Sequence, residues 1–250
     1  KHEEIYSGPQ IGGMTIQSDG NLLLFMEKGA VAIWDGNELN YVRETLEGEE
    51  TSRFNDVIAA PNGSVFCGTM STTENLGTLY RLDPDGSIQP VINGIGISNG
   101  LGFTTDCEWM YYTDSTAHTI YKYRINPING ELSERSVFIT TPVNEGIPDG
   151  MTVDSEDHVW SARWDGWALY RYSPDGQQVE KVDFKTKKVS CPTFAENPLN
   201  KERPENSYTD MYVTTAGGDN PSENGLQAGA LFRLNPGISG KPEFRSQIFL

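Results

Sequence analysis

"DGMTVDSEDHVWSARWDGWALYRYSPDG", residues 149–176, is the stretch whose reading decides the fold. Met151-Thr152-Val153 and Val159-Trp160-Ser161-Ala162 read as two apolar strands joined by a polar turn. A small-residue turn at Asp165-Gly166 then leads to an aromatic strand ending in "LYRY". The unit recurs. "GGMTIQSDGNLLLFMEKGAVAIWDG" starts at Gly12, "NDVIAAPNGSVFCGTM" with "GTLYRLDPDG" at Asn55, and "NGLGFTTDCEWMYYTDSTAHTIYKYRI" at Asn99. A looser copy starts at Cys191 and closes on "GALFRLNPG". The starts near 12, 55, 99, 149 and 191 lie 43, 44, 50 and 42 residues apart. A period of about 40–50 residues with several strands per unit is the mark of a β-propeller blade. Solenoid repeats are usually shorter or helical. The expectation is an all-β propeller, with residues 1–250 as a single domain.

Five full repeats are legible, and a closed ring must leave no exposed edge. The flanks "KHEEIYSGPQI" and "ISGKPEFRSQIFL" are long enough for outer strands but hardly for a blade. Either the ring has five blades, or a sixth is incomplete or missing at the N-terminus.

The residue at the entrance to the first strand of successive repeats is Asn55, then Asn99, then Asp149. A lone Asn-Gly or Asp-Gly, as at Asn99-Gly100 and Asp149-Gly150, is usually a turn, so a turn is one reading. The other is that equivalent positions on successive innermost strands present oxygen donors to a shared axis. Two amides and a carboxylate suit Ca²⁺, Mg²⁺ or Mn²⁺. Gly12 and Cys191 hold that position in the first and fifth repeats, so the cluster is lopsided, as a site would be. The "SDG", "PNG", "PDG" and "PDG" motifs at 18–20, 61–63, 84–86 and 174–176 fall elsewhere in the unit and read as hairpin turns.

Composition excludes several classes of function. A net charge of −16 argues against a nucleic-acid partner, which would need clustered Lys and Arg. No apolar run approaches the roughly 18 residues of a membrane span, so no membrane partner is expected. Cys67, Cys107 and Cys191 are too scattered for a disulfide framework or a zinc knuckle. They favour a reducing, cytoplasmic setting, with Cys67 and Cys191 read as buried structural thiols. His2, His118 and His158 form neither a metal pattern nor a triad, and His158 in "SEDHVW" falls in a hairpin turn. The Trp160, Trp164, Trp167, Tyr170, Tyr172 cluster reads mainly as packing between blades, with "RWDGW" as an alternative platform for a sugar ring.

The motifs "RFND" (53–56), "CGTM" (67–70), "ISNGLGF" (97–103), "MYYTDS" (110–115), "IPDGMTVD" (147–154) and "MYVTTAGG" (211–218) follow one another over nearly the whole chain. In that order the sequence resembles the gluconolactonase, regucalcin (senescence marker protein) and luciferin-regenerating-enzyme family. The resemblance implies a six-bladed propeller, here with its first blade incomplete or missing. It implies hydrolysis of a sugar lactone to the aldonic acid, with one divalent cation as cofactor, Ca²⁺ first and Zn²⁺, Mn²⁺ or Mg²⁺ as alternatives. It places the metal ligands at Asn55, Asn99 and Asp149, and substrate contacts at Arg53 and Asn55. The family's glutamate, from an "EGP" motif on the first blade, has no counterpart here; "SGP" at 7–9 does not match. Thr72, Thr73 and Glu74 match a substrate-contacting stretch only loosely.

Asp149 is the only ionisable member of the three donors, so it is the expected acceptor of the water proton. The expected partner is a small-molecule lactone, with the protein as a monomer or homodimer. An esterase or phosphotriesterase on the same metal site, and a non-catalytic metal- or ligand-binding propeller, are the alternatives.

Overall fold

A computed structural model describes residues 4–196 and 208–249. The part of the fifth repeat that falls in 197–207 lies outside the described residues. Alternating apolar and polar residues with turns every few positions give five antiparallel meanders, each a blade of a β-propeller fold. They divide between two compact units.

The first unit gathers residues up to Ser98, the Asn126–Glu131 turn and the tail from Phe244. One sheet runs β1 (Ile11–Ile16), β2 (Leu22–Met26), β3 (Val31–Trp34), β4 (Leu39–Arg43). The next runs β5 (Phe54–Ala59), β6 (Val65–Thr69), β7 (Gly77–Leu82), β8 (Ile88–Ile95). Leu23, Phe25 and Val31 of one sheet pack on Phe54, Val65 and Cys67 of the other. The tail plugs this core with Ile248, which is 3% exposed. Gln17 clamps Ile248 on both sides: its Nε2 donates to the Ile248 carbonyl at 2.9 Å, and its Oε1 accepts from the Ile248 N–H at 3.0 Å.

The second unit holds Asn99–Ile125 and Leu132–Glu243. Its sheets are β9 (Ser98–Phe103), β10 (Trp109–Asp114), β11 (Thr119–Ile125), β12 (Leu132–Thr140), then β13 (Ile147–Val153), β14 (Val159–Trp164), β15 (Ala168–Tyr172), β16 (Gln178–Asp183). A three-stranded sheet of β17 (Lys188–Ala195), β18 (Asp210–Ala216) and β19 (Phe232–Leu234) follows. Trp160, Ala162 and Leu169 pack on Val189, Met211 and Val213, so most of the aromatic cluster is core. The fourth strands are the polar ones. β12 reads "LSERSVFIT" and is largely exposed, and its charges protect an edge that has no further partner in its sheet.

The six-bladed expectation is corrected to five blades. Residues 4–10 form no strand, and Tyr6 packs edge-on against Trp34 at 5.5 Å instead of opening a further sheet. The tail makes only one isolated parallel bridge, Gln17 to Ser246. Neither flank therefore contributes a strand to another blade among the described residues. The repeat starts do mark the first strands β1, β5, β9, β13 and β17.

The four hairpin turns are as expected. Gly20, Gly63, Gly86 and Gly176 have φ of 95°, 83°, 81° and 84°, the left-handed region that favours glycine. Asp154 closes the 154–158 turn that contains His158. It is fully buried, and its carboxylate accepts from the N–H of Glu156 and His158, from Trp160 Nε1 at 2.9 Å and from Arg171 Nε at 2.8 Å. Cys67 is buried as expected, but Cys191 is exposed on β17, which corrects its reading as a structural thiol.

Candidate active site

Asp149-Gly150 and Asn99-Gly100 are not turns. Both lie inside strands, β13 and β9, and neither glycine has a positive φ. Close approach explains the glycines. A Cβ on Gly100 would sit 2.7 Å from the Asp149 carbonyl oxygen, and one on Gly150 would sit 2.7 Å from the Ser190 carbonyl oxygen. Backbone atoms cannot yield at those distances, so only glycine lets neighbouring first strands come this near. In the first unit Gly13 plays the same part, with a Cβ position 2.6 Å from the Asn55 carbonyl oxygen.

The entrances carry β-bulges. On β13 the ladder pairs Pro148 with Arg163 and resumes at Met151 with Ser161, so Asp149 and Gly150 together oppose one residue. On β5 it pairs Phe54 with Thr69 and resumes at Val57 with Cys67, leaving Asn55 and Asp56 in the bulge. A bulge releases a residue from the ladder and re-aims its side chain. Three of the four positions singled out in the sequence, Arg53, Asn55 and Asp149, thus lie in or beside such a bulge.

In the first unit Arg53 and Asn55 are brought together. Arg53 Nη1 donates to Asn55 Oδ1 and to the Phe54 carbonyl, both at 2.8 Å, while Asn55 Nδ2 donates to the Ser98 carbonyl at 2.9 Å. Asp56, beside Asn55, is a residue that sequence reasoning passed over. Burial pushes its carboxyl up to about 6, against the opposing pull of the Arg53 guanidinium. It stood in "RFND" all along, but its environment could not be read there.

In the second unit the Gly100 approach brings the backbones of β9 and β13 close beside Asn99 and Asp149. Asn99 is 7% exposed, and its Nδ2 donates to Ser115 Oγ at 2.8 Å. Ser115, the last residue of "MYYTDS", donates in turn to the Pro148 carbonyl at 2.5 Å. That relay was also missed in the sequence. A hydroxyl following an apolar strand has no signature that separates it from a turn residue.

Of the loosely matched stretch 72–74, Thr72 forms a turn: its Oγ1 accepts from the N–H groups of Glu74 and Asn75 at 3.2 and 3.0 Å. In "RWDGW", Trp164 is covered by Lys188 Nζ at 4.4 Å from its ring centre, and Trp167 is 39% exposed with φ 58°.

The donor chemistry can be tested against a divalent ion. Among the described residues no group of three or more His, Cys, Asp or Glu side chains is placed to hold a metal. Any ion would therefore need amide oxygens, which hard cations accept. Asn99, with its nitrogen committed to Ser115, and the Asp149 carboxylate fit that need. Asn55 fits less well, because its Oδ1 already accepts from a cationic guanidinium.

Repeated four-stranded meanders define the chain as a β-propeller, and comparison with known proteins gives the family. Residues 1–217 match the SMP-30/Gluconolactonase/LRE-like region, and the chain belongs to that family. It is 44% identical over 248 residues to the pentonolactonase XacC of Haloferax volcanii, covering 96% of this chain and 81% of that one. Among solved structures, a luciferin-regenerating enzyme superposes with a TM-score of 0.82 at 23% identity, over 97% of this chain and 83% of that one. The calcium-binding protein regucalcin from Agrobacterium tumefaciens superposes with a TM-score of 0.80 at 25% identity, over 95% and 79%. No helix among the described residues is long and apolar enough to cross a membrane.

Proposed function

We propose that this protein is a sugar lactonase that opens an aldonolactone to the aldonic acid, with pentonolactones the first substrates to try. The observation that carries the reading is the close backbone approach of β9 and β13 beside Asn99 and Asp149, permitted by Gly100, in a chain 44% identical to a pentonolactonase.

Lactone hydrolysis adds water to a carbonyl carbon, passes through a tetrahedral oxyanion and breaks the ring C–O bond. Asp149 is assigned the water proton, a general-base role worth typically 10²–10⁴-fold. Arg53 offers a fixed guanidinium, able to hydrogen-bond a sugar hydroxyl or the oxyanion. Asn55, tied to Arg53, shares substrate binding. Asn99 and Asp149, with Asn55 as the weaker third, are the residues that would hold a divalent cation, Ca²⁺ first by likeness to a calcium-binding neighbour. When bound, such an ion supplies Lewis acidity and lowers the pKa of water.

The test is acid release from gluconolactone and pentonolactones in a pH-indicator assay, before and after chelation and metal add-back. Turnover that chelation removes, Ca²⁺ restores and Asp149→Ala abolishes supports every part of the reading. Turnover indifferent to chelation keeps the lactonase and removes the metal. Silence on all lactones, with an ion bound, leaves a binding propeller.

A further inference from the structure

We propose that Ser115 is the positioning residue of this site: it dictates which end of the Asn99 amide faces the ligand and fixes the backbone that leads into Asp149. The inference rests on the reading of Asn99 and Asp149 as ligand-holding residues, and adds to it a residue that has no assigned role.

The argument is one of donors and acceptors. An asparagine amide presents an acceptor at one end and two donors at the other, and the two ends are close to the same size. What surrounds the amide must decide the orientation. A serine hydroxyl has one proton to give. The Pro148 carbonyl can only accept, and it takes that proton at 2.5 Å. The Ser115 oxygen is then left as an acceptor toward Asn99, so the amide end that meets it at 2.8 Å must be the NH₂. Oδ1 is thereby turned to the opposite side, the orientation that an oxygen-seeking cation or a hydroxyl donor requires. All of this is dry. Ser115 is 1% and Asn99 7% exposed, and Pro148 is buried, so water does not compete for the three groups.

The same hydroxyl acts on the carboxylate through the main chain. Pro148 precedes Asp149 and opens the bulge, where Asp149 and Gly150 share a single opposite residue. A hydrogen bond to the Pro148 carbonyl substitutes for the restraint that the ladder gives up there. Ser115 is itself held at a tight turn: its carbonyl accepts from the His118 N–H at 3.0 Å, and the Ala117 N–H donates to Asp114 Oδ1 at 3.3 Å. β10 thus ends in a fixed hydroxyl that reaches both β9 and β13. Residues that orient metal ligands in this way typically carry 10–100-fold in affinity or activity.

The experiment is a double-mutant cycle of wild type, Ser115→Ala, Asn99→Asp and the double variant. Each is titrated with Ca²⁺ by calorimetry and assayed on a pentonolactone, with melting temperatures as the folding control. In the wild-type background, Ser115→Ala should weaken Ca²⁺ binding about 10–100-fold, because the amide is freed to flip. A carboxylate has no donor end to misplace. The Asn99→Asp change would also set a second acceptor against Ser115, whose one proton is already given to Pro148. In the Asn99→Asp background the loss on Ser115→Ala should therefore be clearly smaller, because only the Pro148 contact then remains to be lost. A role in stability alone predicts equal losses in both backgrounds, and that result overturns the proposal, as does undiminished binding in Ser115→Ala.

If Ser115→Ala fails to fold, Ser115→Cys replaces it. Its weak donor should give an intermediate loss in the wild-type background and a smaller one in the Asn99→Asp background; equal losses overturn the proposal. If wild type hydrolyses the lactone but binds no Ca²⁺, the metal reading falls, and the same cycle in kcat/KM decides the Ser115 proposal. Neither binding nor turnover in wild type sinks both.

Discussion

Two asparagines enter first strands of successive repeats, and the molecule holds their amides by opposite means. Asn55 is gripped at its oxygen, by Arg53 Nη1 at 2.8 Å, and its nitrogen donates to the Ser98 carbonyl. Asn99 is gripped at its nitrogen end, by Ser115 Oγ at 2.8 Å. The first arrangement spends the acceptor on a cation; the second orients it away from its anchor. Equivalent positions in a repeat therefore do not imply equivalent chemistry. Asn99 is the better donor to a cation, and Asn55 the better partner for whatever Arg53 binds.

The largest effect that can break this comparison comes from Asp149, the carboxylate proposed to act with Asn99. Asp149→Ala should lower kcat/KM on the preferred lactone by about 10²–10⁴-fold, measured in the pH-indicator assay. It should also weaken Ca²⁺ binding by calorimetry. A loss of turnover with unchanged ion affinity would separate the base from the ligand role. Retention of both would show that the carboxylate belongs to the bulge and not to the chemistry.

A smaller effect sharpens the other half. Arg53→Lys keeps the charge but replaces the rigid guanidinium, whose Nη1 reaches both Asn55 Oδ1 and the Phe54 carbonyl, by a flexible and more strongly hydrated ammonium. It should raise KM and lower kcat/KM by about 10–100-fold, the range seen when a supporting partner is removed. Ion affinity should stay level or rise, since Asn55 Oδ1 is released from a guanidinium. If Arg53→Lys weakens ion binding as much as substrate binding, the division between the two asparagines is wrong.

The sequence carries the repeat, the first-strand positions and the hairpin turns, because those follow from alternation and from glycines with φ > 0. Blade number was less legible, because a terminal segment as short as 4–10 or 244–249 has no periodicity that tells a strand from a packed coil. Tyr6 meeting Trp34, and Gln17 clamping Ile248, are contacts between residues far apart in sequence. The site divides in the same way. Asn55, Asn99 and Asp149, the proposed ligand-holding residues, are legible because they recur in register. Ser115 is not, because its part arises from the convergence of β9, β10 and β13. The glycines at 100 and 150 were misleading for a related reason. Asn-Gly and Asp-Gly spell a turn locally, yet the demand for glycine comes from the neighbouring strand.

The smallest predicted effect concerns Asp56, which shares the β5 bulge with Asn55. Its carboxyl is raised from 3.8 to about 6 in the folded protein, burial being the main cause. A raised carboxyl holds its proton more tightly folded than unfolded, so its contribution to stability is fully present below pH 3.8 and is lost as pH rises through 6. Above that range the folded chain carries a desolvated charge. Asp56→Asn removes the charge at similar size. On chelated protein it should melt higher than wild type at pH 7–8, by about 2–4 °C for each kcal/mol relieved. The gap should close toward pH 4. A constant difference across that interval would mean that Asp56 is paired or solvated at every pH. The contrast between the two asparagines would then rest on the Arg53 guanidinium alone.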